Sequence, residues 1–276
     1  MSLAALPDPP PLHPGISPPE MRHNRVDMLH RTLLLLAALA ASAFAQVVTE
    51  FAPPKAGCCL AGTAQALADQ LQDWNQLGRY HADNQRLKAA PPAPGRVVFL
   101  GDSITDGWKL ENSFPGKPYV NRGISGQTTA QMLVRMMPDV LAHSPAAFIL
   151  LAGTNDIARN AGPQTLDMIT ANIQAMSELA RAHNVKVILC TVMPISDYTS
   201  RVQSQRRPPA DILALNQWIK DYAARTGATI ADYYAATADE RGFLKEGYSG
   251  DGLHPNPKGY ELMAPVAQAA IDKALR

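Results

Sequence analysis

Charge of one sign is missing from this chain: 25 Lys and Arg against 24 Asp and Glu over 276 residues leave a formal net charge of +1. No polyanion-binding surface is implied, so nucleic acid is not an expected partner. The short cluster Arg201, Arg206 and Arg207 reads as a solvated loop. Cysteine is also scarce. Of the three, Cys58 and Cys59 are adjacent and cannot easily bridge each other without strain. Cys190 ends the apolar run Val185-Lys186-Val187-Ile188-Leu189-Cys190 and reads as a packed thiol. One odd thiol remains whatever pairs, and no Cys/His spacing suits a metal ion. Neither a metal nor another cofactor is expected.

Long apolar runs are absent too, apart from one near the start. Uncharged residues extend from Thr32 to Thr49, close to the ~20 that span a bilayer, but the second half is mostly Ala, Ser, Gln and Thr. Processing explains this stretch better than a retained span. Residues 1–20 are rich in proline, with Met21 or Met28 following as plausible starts. Arg22, Arg25 and Arg31 then supply a positive region, Leu33 to Leu39 an apolar one, and Ala43-Phe44-Ala45 a small-x-small cleavage site before Gln46. Residues 1–45 are therefore expected to be an extension and signal peptide, cleaved after Ala45, with export to the periplasm or medium and no stable membrane insertion. Ala56-Gly57-Cys58 lacks the preceding apolar residue of a lipoprotein site.

Residues 46–95 form an N-terminal segment in which helical spacing predicts one helix from Thr63 to Lys88. Its stripe Leu67, Leu71, Trp74 and Leu77 is expected to be a docking face beside a sheet. Pro91, Pro92 and Pro94 then break the helix.

From residue 96 to 276 the pattern alternates. Strand-like runs near 96–101, 118–121, 147–152, 185–192 and 228–233 are separated by helical patterns near 127–136, 164–182, 209–225 and 257–275. This predicts one α/β domain, a doubly wound parallel five-stranded sheet with helices on both faces in three layers.

The chemistry concentrates at the ends of those runs. Ser103, in Gly101-Asp102-Ser103-Ile104-Thr105, follows the apolar run Arg96-Val97-Val98-Phe99-Leu100. A serine hydroxyl becomes a nucleophile when an imidazole takes its proton and a carboxylate fixes the imidazole's tautomer. His254 and Asp251, in Asp251-Gly252-Leu253-His254, can fill those roles. A tetrahedral intermediate also needs preorganised donors for its oxyanion. Gly126, in the turn Asn121-Arg122-Gly123-Ile124-Ser125-Gly126-Gln127-Thr128, can present a bare backbone N–H. Asn155, in Gly153-Thr154-Asn155-Asp156 after the run Ala147 to Leu151, can offer an amide. The chain lacks a Gly-x-Ser-x-Gly elbow, which argues against the α/β-hydrolase fold.

These four blocks, in this order, resemble the SGNH or GDSL hydrolase superfamily over residues 96 to the C-terminus. The resemblance implies a flavodoxin-like strand order 2-1-3-4-5. It implies Ser103 as nucleophile, His254 as base, Asp251 as its orienting acid, and the Ser103 N–H, Gly126 and Asn155 as the oxyanion hole. Asp102 and Asp156 read instead as backbone caps, Arg122 as the partner of a carboxylate or carbonyl, and the other six histidines as surface or core residues.

The substrate pocket is the least determined feature. Trp108, Tyr198 and Tyr248 are candidate walls, and the irregular segment Pro194 to Pro208 a candidate rim or lid. No apolar stretch builds a deep acyl tunnel. The expectation is an exported esterase acting on short acyl groups of a small-molecule or carbohydrate ester. Lysophospholipase, thioesterase, arylesterase and a non-catalytic carbohydrate-binding relative remain alternatives.

Overall fold

The structure, a computed structural model, describes residues 71–91 and 93–276. The expected signal peptide, its cleavage site, the Cys58 and Cys59 pair and the start of the Thr63 helix lie outside those residues.

Five strands form one parallel sheet: β1 (Val97–Gly101), β2 (Tyr119–Gly123), β3 (Ala147–Leu151), β4 (Lys186–Cys190) and β5 (Thr229–Ala231). Their order is β2-β1-β3-β4-β5. The described α-helices are α1 (His81–Ala89), α2 (Ser103–Asp106), α3 (Leu110–Ser113), α4 (Thr129–Val134), α5 (Thr154–Ile157), α6 (Leu166–Ala182), α7 (Pro209–Thr226), α8 (Tyr233–Thr237) and α9 (Pro257–Ala274). This is the three-layer doubly wound arrangement that the alternating pattern predicts.

Side-chain alternation along the strands divides the interior in two. Val98, Leu100, Phe148, Leu150, Val187 and Leu189 face one side, where they pack with Met132 of α4, Ile169 and Ile173 of α6, and Ile212, Leu215 and Ile219 of α7. Val97, Phe99, Ala147, Ile149, Ile188 and Cys190 face the other, with Trp108, Phe114 and, from α9, Met263, Ala267 and Ile271. Both faces of each central strand are buried, which is why the strands read as continuous apolar runs. Among the described residues, no helix is long and apolar enough to cross a membrane.

The segment before β1 departs from expectation. Residues 73–80 are turns, not helix. The Asp73 carboxylate accepts hydrogen bonds from the N–H groups of Leu77 and Gly78, and Gln76 sits at φ +56°. An aspartate that captures nearby backbone donors competes with the helix for them. Leu71, Trp74 and Leu77 are 74%, 48% and 38% exposed, so the described part of the stripe is not a docking face. The segment docks through polar groups. Asn75 O and Trp74 O accept from the side chains of Gln127 and Gln131, and Tyr80 Oη donates to Gly123 O. Asn84, buried, meets Asp139, Arg122 and His143.

Two glycines let the strand ends close together. A Cβ on Gly101 would lie 2.1 Å from Thr105 Oγ1 and 2.9 Å from Leu151 O, and one on Gly123 would lie 2.1 Å from Asp106 N. The β1–α2 turn therefore rests directly on the neighbouring strand ends.

Candidate active site

Ser103 begins α2 directly after β1, and Asp102 caps that helix by accepting from Ile104 N at 2.9 Å. As the first helical residue, Ser103 has an N–H with no intrahelical acceptor. Its Oγ lies 2.8 Å from His254 Nε2. On the other side of the ring, His254 Nδ1 lies 2.7 Å from Asp251 Oδ2. With a carboxylate at Nδ1, that nitrogen carries the proton and Nε2 is left to accept from the serine.

The Asp251 loop is rigidly built. Asp251 Oδ1 accepts from the N–H groups of Leu253 and His254 at 3.0 and 2.9 Å. Partial burial works against the charge, but these hydrogen bonds and the one from the His254 ring outweigh it and hold the carboxyl well below the usual range. Gly252, at φ +79° and against Ser196 O, makes the turn. Asn256 then caps α9 through Gly259 N, with Pro257 in the first turn.

Gly126 sits at φ +84° with open space where a Cβ would be. Asn155 is 3% exposed in α5. Its Oδ1 accepts from Asn160 Nδ2 at 2.9 Å and Arg207 Nη2 at 3.3 Å, while Nδ2 donates to Gln127 O at 3.0 Å. An amide NH₂ has two protons, so a second remains for a ligand.

The structure thus brings Ser103, His254, Asp251, Gly126 and Asn155 to the carboxyl ends of the strands, where doubly wound sheets bind ligands. Asp156 behaves as a cap, accepting from Thr129 N and Thr129 Oγ1. Arg122 pairs with Asp83 at 2.7 Å and lies over the Tyr80 ring.

A depression of about 450 Å³ is lined by Ser103, Asp106, Gly107, Ser125, His254, Pro255 and Tyr260. Gly107, Pro255 and Tyr260 also line a neighbouring groove of about 670 Å³ that runs between α3 and α9. Of the three aromatic wall candidates, Trp108 lines this groove, although it is only 3% exposed and its Nε1 donates to Ser113 Oγ. Neither Tyr198 nor Tyr248 lines either cavity. Tyr198 packs on Phe243 and its hydroxyl is held by Asp239 and Arg241.

Sequence reasoning missed Arg207. It is not solvated with its neighbours but 5% exposed. No local signal marks it, since two of its partners lie 52 and 53 residues away.

A parallel α/β sheet carrying Ser, His and Asp in one hydrogen-bonded line at its carboxyl edge defines a serine hydrolase arrangement. Residues 99–262 match the GDSL-like lipase/acylhydrolase family. An arylesterase of Vibrio mimicus is 26% identical over 212 residues, covering 67% of this chain and 92% of the relative. An isoamyl acetate-hydrolyzing esterase 1 homolog of Bos taurus is 28% identical, covering 64% and 82%. A solved Bacteroides fragilis structure assigned to the acylhydrolases is 39% identical with a TM-score of 0.68, covering 74% of this chain and 99% of that one. The chain belongs to the GDSL-like lipase/acylhydrolase family and is a carboxylic ester hydrolase.

Proposed function

We propose that this protein is an exported serine esterase that cleaves short-acyl esters through an acyl-enzyme on Ser103. The observation that carries the reading is the line from Ser103 Oγ to His254 Nε2 at 2.8 Å and from His254 Nδ1 to Asp251 at 2.7 Å. Ser103 Oγ attacks the ester carbonyl while its proton passes to His254 Nε2. The carbonyl oxygen becomes an oxyanion, met by the Ser103 N–H, the Gly126 N–H and the second Asn155 Nδ2 proton. As the intermediate collapses, His254 returns the proton to the departing alkoxide. Water then attacks the acyl carbonyl, again giving a proton to His254, and the carboxylic acid leaves as Ser103 recovers its hydrogen.

The alcohol is recognised on the histidine side. His254 must reach the leaving oxygen, so the alcohol lies toward Pro255 and Tyr260, where the depression opens into the larger groove. That groove joins apolar surface from Trp108, Tyr260 and Ala264 to polar groups on Lys109, Asn112 and Glu261. An alcohol with several hydroxyls and one apolar face, such as an acetylated sugar, matches the lining. The acetate named for the Bos taurus relative supports a small acyl group. Export rests on the signal-like residues 22–45.

The test is covalent. A fluorophosphonate should label Ser103, and Ser103→Ala should abolish both labelling and hydrolysis of nitrophenyl acetate. Undiminished turnover in the alanine variant would end the catalytic reading. N-terminal sequencing of the mature protein should begin at Gln46.

A further inference from the structure

One buried cation faces the site from the loop before α7 and takes no part in the proton transfers. Arg207 directs its guanidinium at three neutral oxygens: Nε to Thr154 Oγ1 at 3.0 Å, Nη1 to Gln203 Oε1 at 3.0 Å and Nη2 to Asn155 Oδ1 at 3.3 Å. Gln203, in turn, donates from Nε2 to Asp251 O at 2.8 Å. One side chain therefore holds the Asn155 amide directly and the Asp251 loop through a single intermediary.

Burying a guanidinium among neutral acceptors is costly, because a charge in a low-dielectric interior ordinarily needs a counter-charge. Burial and the nearby Arg206 lower the Arg207 pKa to about 10, opposed by the longer-range fields of Asp102 and Asp251. It stays a cation at neutral pH. A positive charge that no anion contacts among the described residues becomes favourable when an anion forms nearby, which is the condition for stabilising a transition state more than a ground state. Its contact with Asn155 points the same way. A cation donating to Oδ1 polarises the amide and fixes its plane, so that the Nδ2 hydrogens are both better donors and correctly aimed.

We infer that Arg207 is a positioning residue that aims and polarises the Asn155 amide toward the oxyanion and keeps the Asp251–His254 loop in register with it. It acts through Asn155 and Gln203 and does not touch the reacting atoms. The inference rests on the acyl-enzyme mechanism proposed above.

The test is a double-mutant cycle on nitrophenyl acetate, with kcat expressed per site titrated by fluorophosphonate so that misfolded enzyme does not count. Arg207→Met should lower kcat by about ten- to a hundredfold, less than the ~10²–10³ for losing an oxyanion donor outright, with KM within about threefold. In the Asn155→Ala background the same substitution should cost at least about threefold less than it does in the wild type, because of its two routes only the one through Gln203 remains. Arg207→Lys, which keeps the charge and loses the fork, should fall between wild type and Arg207→Met, and it replaces Arg207→Met in the cycle if that variant does not fold. Unchanged kcat per titrated site, or losses that multiply fully with Asn155→Ala, would overturn the inference. If turnover did not depend on Ser103, the underlying mechanism would fail instead, whatever the cycle gave.

Discussion

His254 Nδ1 lies 2.7 Å from Asp251 Oδ2, and the other oxygen of that carboxyl is already engaged by the backbone of Leu253 and His254. The carboxylate is thus oriented by its own loop before it orients the ring. Asp251→Asn would present an amide that can donate to Nδ1 and favour the wrong tautomer, so kcat should drop ~10⁴-fold with the fold intact. His254→Ala should cost about as much as Ser103→Ala. Steady-state kinetics on the three variants decide the matter, and an Asp251→Asn enzyme at near wild-type rate would remove Asp251 from the mechanism.

Asn155 tests the oxyanion hole separately from the proton relay. Asn155→Ala deletes one donor, and kcat should fall by about 10²–10³ with KM little changed. An inhibitor that mimics the tetrahedral anion should lose affinity in proportion. A silent Asn155→Ala would mean that the hole is built from other groups.

The groove between α3 and α9 carries the substrate prediction. Ala264 lines it at some distance along α9 from His254, so Ala264→Trp should obstruct the groove while leaving the serine and histidine in place. Turnover of small acetates such as ethyl acetate should be kept, and hydrolysis of acetylated sugars should fall at least about tenfold, with KM rising. Asn112→Ala should show the same discrimination more weakly. If Ala264→Trp instead altered the preference for acyl length at a fixed alcohol, the groove would hold the acyl group.

The polar anchor of the N-terminal segment predicts a stability effect. Asn84 Nδ2 donates to Asp139 Oδ1 at 2.6 Å, and Asn84 Oδ1 accepts from Arg122 and faces His143 Nε2 at 2.9 Å. Asn84→Leu strips a hydrogen bond from Asp139 Oδ1, Arg122 Nε and His143 Nε2, at about 1–3 kcal/mol for each buried atom left unpaired. Urea denaturation should show a lower midpoint with little change in slope. A midpoint equal to wild type would show that the segment contributes nothing through this contact.

What could be read from residue order follows from the range of the signal. Strand runs such as Ala147 to Leu151 and helix faces such as Ile212, Leu215 and Ile219 are local patterns, and three of the site groups sit at strand ends that those patterns mark. Helical spacing also gave Leu71, Trp74 and Leu77 a common face, but spacing says only which residues share a face, not whether anything covers it. Arg207 was illegible for a different reason. Its meaning comes from Thr154 and Asn155, which the fold brings to it from 53 and 52 positions away, while its sequence neighbours suggested only a basic loop.

Asp102 sets a pH dependence of stability opposite to that of Asp251. It is fully buried beside Ser103, and its Oδ2 has no hydrogen-bond partner among the described residues. Burial raises its pKa from 3.8 to about 6, helped by Asp156 and opposed by the Ile104 N–H, His254 and Arg207. Between those two values the unfolded chain has released a proton that the folded protein keeps, so the contribution of Asp102 is complete below about pH 4 and is lost as the pH rises toward 6. Asp251, held low, instead contributes at and above the usual carboxylate range and loses that contribution only in acid. Asp102→Asn mimics the protonated form and cannot ionise. The Tm of the variant minus that of wild type should therefore increase from pH 4 to pH 7, although Asp156, also raised to about 6 by burial, leaves part of the slope in both proteins. A difference that stays constant over that range would show that Asp102 is already ionised in the folded protein at pH 4.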